Sequence, residues 1–236
     1  MHIYKFSLYL LTLILSTNML VAQTADEIIN KTLENMGGTT KLNAIKTITQ
    51  EGKVDMGQGR EAPIKRYIVP NQALRNEFSL QGQTMVTTIE GNAGWAIRPF
   101  GGNKNAEPLP EEDVKTTQFE WDITGGLLNY AQNGSTAEYL GTDDFEGTDV
   151  YVVRLTLKTG QIIYHYIDTE TYQTLKKVTK VKLGDKEQRN EETYSNFEKT
   201  DYGIVVPHSI GEQVTITQTL INQPIDDNLF KMPAKK

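Results

Sequence analysis

From Thr47 onward the chain alternates apolar and polar residues at a period of two, broken at intervals by glycine, asparagine and aspartate. That pattern predicts half-buried strands joined by tight turns. Candidate strands lie near residues 47 to 56, 62 to 69, 73 to 81, 83 to 90 and 93 to 98. The strongest hairpin is TDVYVVRLTLKTGQIIYHYID, in which Tyr151, Val153, Leu155 and Leu157 point one way and Lys158-Thr159-Gly160 makes the turn. A second pairs residues 175 to 183 with 187 to 199 around Gly184-Asp185. One further strand sets Ile210, Val214, Ile216 and Leu220 against a polar face of Ser209, Gln213, Thr215, Thr217 and Thr219. Consecutive strands without intervening helices predict an antiparallel meander and an all-β class.

Ahead of the strands, Thr24-Ala25-Asp26-Glu27 reads as a capping box, and Ile28, Ile29, Leu33 and Met36 share one helical face that stops at Gly37-Gly38. Leu42 with Ile45 adds one short turn. The helix is expected to cover the sheet.

The rhythm breaks from Phe100 to Gln132. So long an interruption is usually functional or disordered, and Phe119, Trp121, Leu127, Leu128 and Tyr130 need something to pack on. Pro110-Glu111-Glu112-Asp113 resembles a helix start, and residues 124 to 131 suit a second short helix, so the segment reads as a lid. At the other end, Pro224 stops the last strand, while Leu229, Phe230 and Met232 call for burial and Phe230 is expected to fold onto the sheet margin.

The first residues stand apart. Lys5 precedes an apolar run from Phe6 to Leu15, and Leu20-Val21-Ala22 offers a small residue before Gln23, the pattern of a secretory signal peptide cleaved after Ala22. The remaining residues, 23 to 236, suit a single domain, and no later apolar run reaches the length of a membrane span. The chain has no cysteine, which excludes disulfides, thiolate metal sites and a lipid-modified cysteine anchor within it. Its formal charge is −6, and loss of Lys5 with the leader makes it one unit more negative, against nucleic acid and anionic lipid surfaces as partners. Counting glycine and leaving out tyrosine, the apolar share is about 42 %, below the usual ~45–50 %. A curved sheet around a hollow accounts for that, and so do polar outer strand faces.

Catalytic constellations are scarce. Beyond the leader only His165 and His208 remain, and His165, between Tyr164 and Tyr166 on a strand, suits a hydrogen-bonded structural role. No nucleophile elbow, HExxH, P-loop or dinucleotide fingerprint occurs. The acidic pairs Glu111-Glu112, Asp143-Asp144, Glu191-Glu192 and Asp226-Asp227 place neighbouring carboxylates on opposite faces of a strand or near turns. An enzyme is not expected, and no cofactor or metal is implied.

Taken in order, ENMGGTTKLNAIKTI, GNAGWAIRPF, LLNYAQNG before YLGTDDFEGTDVYVV, YHYIDTETYQTLKK, YGIVVPHSI and INQPIDDNLFKMP resemble the LolA-like outer-membrane lipoprotein-sorting proteins in their larger Gram-negative version. The resemblance implies an incomplete, strongly curved antiparallel barrel, a half-barrel whose open side is covered by the N-terminal helix and a short helical lid over an apolar cavity. It implies a periplasmic carrier that shields lipoprotein acyl chains or another lipid, monomeric, with transient envelope-membrane protein partners. On this expectation Leu74, Phe78, Leu80, Met85, Val153, Leu155 and Leu157 line a dry cavity. Phe100, Phe119, Trp121, Leu127, Leu128 and Tyr130 form the lid, with Gly125-Gly126 as its hinge. The family's carriers latch the lid with a buried arginine, for which Arg66, Arg75, Arg98 and Arg154 all qualify by lying in strands. The same fold also implies an alternative, an envelope sensor or scaffold that recognises a lipid or a protein.

Overall fold

The computed structural model describes residues 23–101, 103–183 and 186–234. The expected leader and the Gly184-Asp185 turn lie outside the described residues. Among the described residues, thirteen strands form one antiparallel sheet that does not close. They are β1 Ile48–Asp55, β2 Glu61–Val69, β3 Ala73–Leu80, β4 Gln83–Glu90, β5 Ala93–Arg98, β6 Asn103–Pro108, β7 Thr136–Phe145, β8 Thr148–Thr156, β9 Ile162–Asp168, β10 Thr174–Leu183, β11 Lys186–Lys199, β12 Val205–Ile210 and β13 Val214–Ile221. Each strand pairs with its sequence neighbours, save that β1 pairs with β13 and leaves β6 and β7 as the two edges. The chain between β6 and β7 therefore runs from one edge of the sheet to the other, and its hydrophobic side chains pack on the inner face between them.

Strand periodicity decides which side chains face inward. Ile48, Ile68, Leu74 and Ile89 stand in one row across β1 to β4 and are all but fully buried, with Val153 and Leu155 of β8 and Ile163 and Ile167 of β9 in the same core. Helix α1 (Ala25–Asn35) lays Ile28, Ile29 and Leu33 on them. The capping box forms as its sequence requires, Glu27 N–H donating to Thr24 Oγ1 and Thr24 N–H to a Glu27 carboxylate oxygen. At the helix end Gly37 has φ +121°, and a Cβ there would lie 2.9 Å from the Gly203 carbonyl. Only glycine fits that approach. A short helix α2 (Thr39–Asn43) follows.

Several expectations change. Residues 209 to 220 are not one strand: Gly211, with φ +60°, opens a turn that divides them into β12 and β13. Asn103–Pro108 and Thr136–Phe145, which show weak alternation, are edge strands all the same. Between them α3 (Glu111–Thr117) forms where the acidic start was seen, followed by a 3-10 turn at Gln118–Trp121. Residues 124 to 131 form turns rather than a helix. The Asp122 carboxylate holds Thr124 N–H and Gly126 N–H, and Gly125, Gly126 and Asn129 have positive φ, which a helix cannot accommodate.

The C-terminal segment seats on the opposite, outer face. Phe230 is buried, Trp95 Nε1–H donates to its carbonyl at 2.8 Å, and Arg75 donates to the Leu229 carbonyl at 2.9 Å. Leu229 is half-buried and Met232 exposed, so Phe230 alone of the three is sealed.

Candidate functional site

Among the described residues, hollows lie along the inner face, and three of them meet at the lid. The first, about 110 Å³, is bounded by the end of α1 at Met36, by Ile68, by Phe119 to Gly125 of the lid, and by His165, Lys177, Glu192 and Tyr194. The second, about 260 Å³, has Ile64, Phe78, Met85, Ile210 and Val214 as apolar walls over Arg66, Asn76 and Glu120. The third, about 370 Å³, runs along the lid's other side, past Trp121 and Gly126 to Leu157 and Ile163. Arg66, Glu120, Glu192 and Ile210 are shared by the first and second hollows. Phe119, Asp122, Gly125 and Lys177 are shared by the first and third. The lid thus forms part of every partition.

The expected cavity residues divide accordingly. Phe78 and Met85 line the second hollow and Leu157 the third. Leu74, Val153 and Leu155 are fully buried among core side chains. Leu80, half-buried at the end of β3, lines none of the three. Among lid residues, Phe119 and Trp121 bound hollows, Leu127 is sealed in the core, and Leu128 and Tyr130 pack on its margin, with Tyr130 donating to Asp26 of α1. Phe100 sits at the end of β5, exposed, with its ring 6.4 Å from Phe78 in an edge-on pair.

The interior is not uniformly apolar. On β2, Arg66 stands between inward Ile64 and Ile68, in register with Gln50 of β1 and Asn76 of β3. Its guanidinium donates to Asn76 Oδ1 at 3.1 Å, to Gln50 Oε1 at 3.4 Å and to the lid carboxylate of Glu120 at 3.1 Å. Asn76 Nδ2–H donates to the same Glu120 oxygen at 3.0 Å. Of the four candidate arginines, Arg66 is the one tied to Glu120 on the lid's 3-10 turn. Arg75 holds the C-terminal segment, Arg154 pairs with Glu138 on the neighbouring strand, and Arg98 lies 3.8 Å from Asp113 with both side chains about half exposed.

A second polar cluster crosses β9 to β11. Lys177 Nζ lies 2.8 Å from a Glu192 oxygen, which also accepts from Tyr194 Oη–H at 2.9 Å. Burial pulls the Lys177 ammonium down, but its anionic surroundings overcome that and leave it above its ordinary value. Burial would raise the Glu192 carboxyl, and the lysine beside it reverses the sign. Tyr194 is pushed up to about 12, chiefly by burial, so at neutral pH it is a phenol and Glu192 supplies the negative charge. His165, in register with Lys177, is wholly buried, and burial first and the lysine second push it down to about 3. It is therefore neutral. Its Nε2 lies 3.0 Å from the Gly125 carbonyl, which can only accept, so Nε2 carries the hydrogen, and Nδ1 has no partner among the described residues.

The two lid glycines are contact points. A Cβ on Gly125 would lie 2.7 Å from His165 Cε1, and one on Gly126 2.8 Å from Leu155 Cδ2. Their positive φ and this proximity let the loop press on the sheet.

Lys177, Glu192, Tyr194, His165 and Glu120 were absent from the residues expected at the site. Strand parity held part of the signal, since Arg66 and His165 each interrupt an otherwise apolar inward row. Glu120 lies on a 3-10 turn, where no period of two applies. Among the described residues no group of three or more His, Asp or Glu side chains is placed to hold a metal ion.

No protein-family model matches the chain, and no curated protein matches it. Solved structures do. A LolA superfamily protein from Nitrosomonas europaea superposes with a TM-score of 0.50 at 13 % identity, over 89 % of this chain and 98 % of that one. The fold is LolA-like. A DUF1329 family protein from Desulfovibrio piger gives a TM-score of 0.53 at 12 % identity, over 88 % of this chain and 97 % of that one. At such identities the likeness concerns the half-barrel and says nothing of individual side chains.

Proposed function

We propose that this LolA-like protein is a non-enzymatic lipid carrier of the bacterial envelope, which shields acyl chains of a lipoprotein or another lipid during transit through the periplasm. The observation that carries the reading is the lid: attached at both sheet edges, it is fastened through Glu120 to Arg66 at the wall between two partly apolar hollows. Displacing it joins the hollows into one longer groove. Opening an ion pair of this kind costs on the order of 1–3 kcal/mol, and at about 0.8 kcal/mol per buried methylene some four methylenes offset that. An acyl chain then supplies the free energy that opens its own site. The leader pattern at residues 1 to 22 supports an extracytoplasmic location.

Lipid extraction and native mass spectrometry of protein exported in a Gram-negative host test the reading. The expected result is a bound species carrying one or more acyl chains and exchangeable with a fluorescent fatty-acid probe. Lipid-free protein that takes up no probe overturns it.

A further inference from the structure

The lid does more than cover the hollows, because it places a carboxylate inside them. Glu120 puts one oxygen 3.1 Å from the Arg66 guanidinium and 3.0 Å from Asn76 Nδ2, a two-donor anion seat built on adjacent strands. Arg66's side chain is only 17 % exposed. Its other partners, Asn76 and Gln50, are neutral. Glu192 borders the same hollows but is already engaged by Lys177 and Tyr194. When the lid lifts, the hollows keep Arg66 and Lys177 against Glu192 and Glu77, but Lys177 already holds Glu192 and Arg75 holds Glu77, so Arg66 is left with no carboxylate bonded to it. A partly dry guanidinium without a counter-charge is costly, and a charge-assisted hydrogen bond from an incoming anion removes that cost. Beside the seat, Ile64, Phe78, Met85, Ile210 and Val214 offer an apolar wall to whatever is attached to the anion.

We infer that the ligand is an anionic amphiphile whose head group takes the place of Glu120 on Arg66 and Asn76 while its tail lies along the second hollow. The inference rests on the carrier reading and narrows it: the head group enters the protein, instead of staying at the mouth with only a chain inside. A carboxylate and a phosphate monoester both satisfy the seat, and the test separates them.

Hexadecanoate, hexadecyl phosphate and hexadecanol share one chain length and differ in the head group, so each is titrated against a fluorescent acyl probe bound to the full chain, above the carboxylate titration range. At least one anion is expected to bind roughly tenfold or more tightly than the alcohol, and the stronger of the two identifies the head-group class. Arg66→Met abolishes that preference while the alcohol still binds. Glu120→Gln replaces the competing carboxylate with a neutral amide of the same shape on the half-buried 3-10 turn, with little risk to folding, and raises anion affinity roughly three- to tenfold. Equal affinities for all three ligands, or anion affinity unchanged in Glu120→Gln, overturn the head-group inference and leave the carrier reading standing. Failure of all three to bind, with lipid-free protein on extraction, removes both.

Discussion

The two ends of the inner face obey different rules. At one end, α1 and Leu127 pack with Ile28, Ile29 and Leu33 against Ile48, Ile68, Leu74, Ile89, Val153 and Leu155, all of them buried, and only Ile68 of these borders one of the three hollows at the lid. Two residues further along the same strands, the inward positions become Gln50, Arg66 and Asn76, and then Ile64, Phe78 and Met85 around a hollow. The first end is a core and holds the fold together. The second contains charged groups that must satisfy one another, and it is there that a ligand has room. An inward-facing apolar side chain on this sheet is therefore not by itself a ligand contact. What lies above it decides.

The largest effect that separates the two ends is Leu155→Asp, which buries an unpaired carboxylate in a filled core. It is expected to cost about 5 kcal/mol or more and prevent folding, read as loss of a cooperative urea transition. If this variant folds well and merely loses ligand, the core has been misplaced and the comparison fails.

Acid comes next. His165's pKa is about 3 in the folded chain against an ordinary 6.5, so between those values the unfolded state binds the extra proton. Its contribution is present in full above about 6.5 and is lost as pH falls toward 3, at most by roughly 1.4 kcal/mol per pH unit. A urea series across that window is expected to show the decline, and His165→Gln to flatten it. An unchanged slope means that the lid's seat on β9 is wetter than its burial implies.

Glu192→Gln leaves Lys177 buried without its anion. A destabilisation of about 3 kcal/mol is expected in urea, partly restored when Lys177→Met is added. Simple additivity of the two single effects shows that the pair does not act as a unit.

The smallest change in stability, and the sharpest test of the contrast, is Phe78→Asp. Phe78 is half-buried at the second hollow, so the loss in urea is expected to stay near 1 kcal/mol, while affinity for an acyl probe falls tenfold or more. Retained affinity places the chain elsewhere.

Much of this architecture is written in local sequence. Period-two alternation located β2 to β5 and the hairpin of β8 and β9 within a residue or two, and Thr24 with Glu27 marked the first helix turn. The failures have physical causes. At residues 209 to 220 both β12 and β13 alternate, so the turn at Gly211 is masked by apolar residues on either side. Residues 124 to 131 contain enough leucine to suggest a helix, and Asp122 even caps the N–H groups of Thr124 and Gly126, but Gly125, Gly126 and Asn129 take positive φ and turn the chain out of the helical path. Edge strands β6 and β7 bury little, so no apolar stripe announces them.

The candidate site was less legible. Phe119 and Trp121 reach hollows from the insertion, but among strand residues nothing along the chain distinguishes Phe78 and Met85 from Leu74, which has the same character and faces the same side. By itself the sequence determined most of the inner strands and their inward faces, the covering helix and the existence of an inserted segment, because these depend on side-chain periodicity and backbone chemistry within a few residues. Tertiary structure alone decided that β1 meets β13, that the insertion joins opposite edges, and that Glu120 rests on Arg66, since each depends on residues tens of positions apart brought together by the curvature of the sheet.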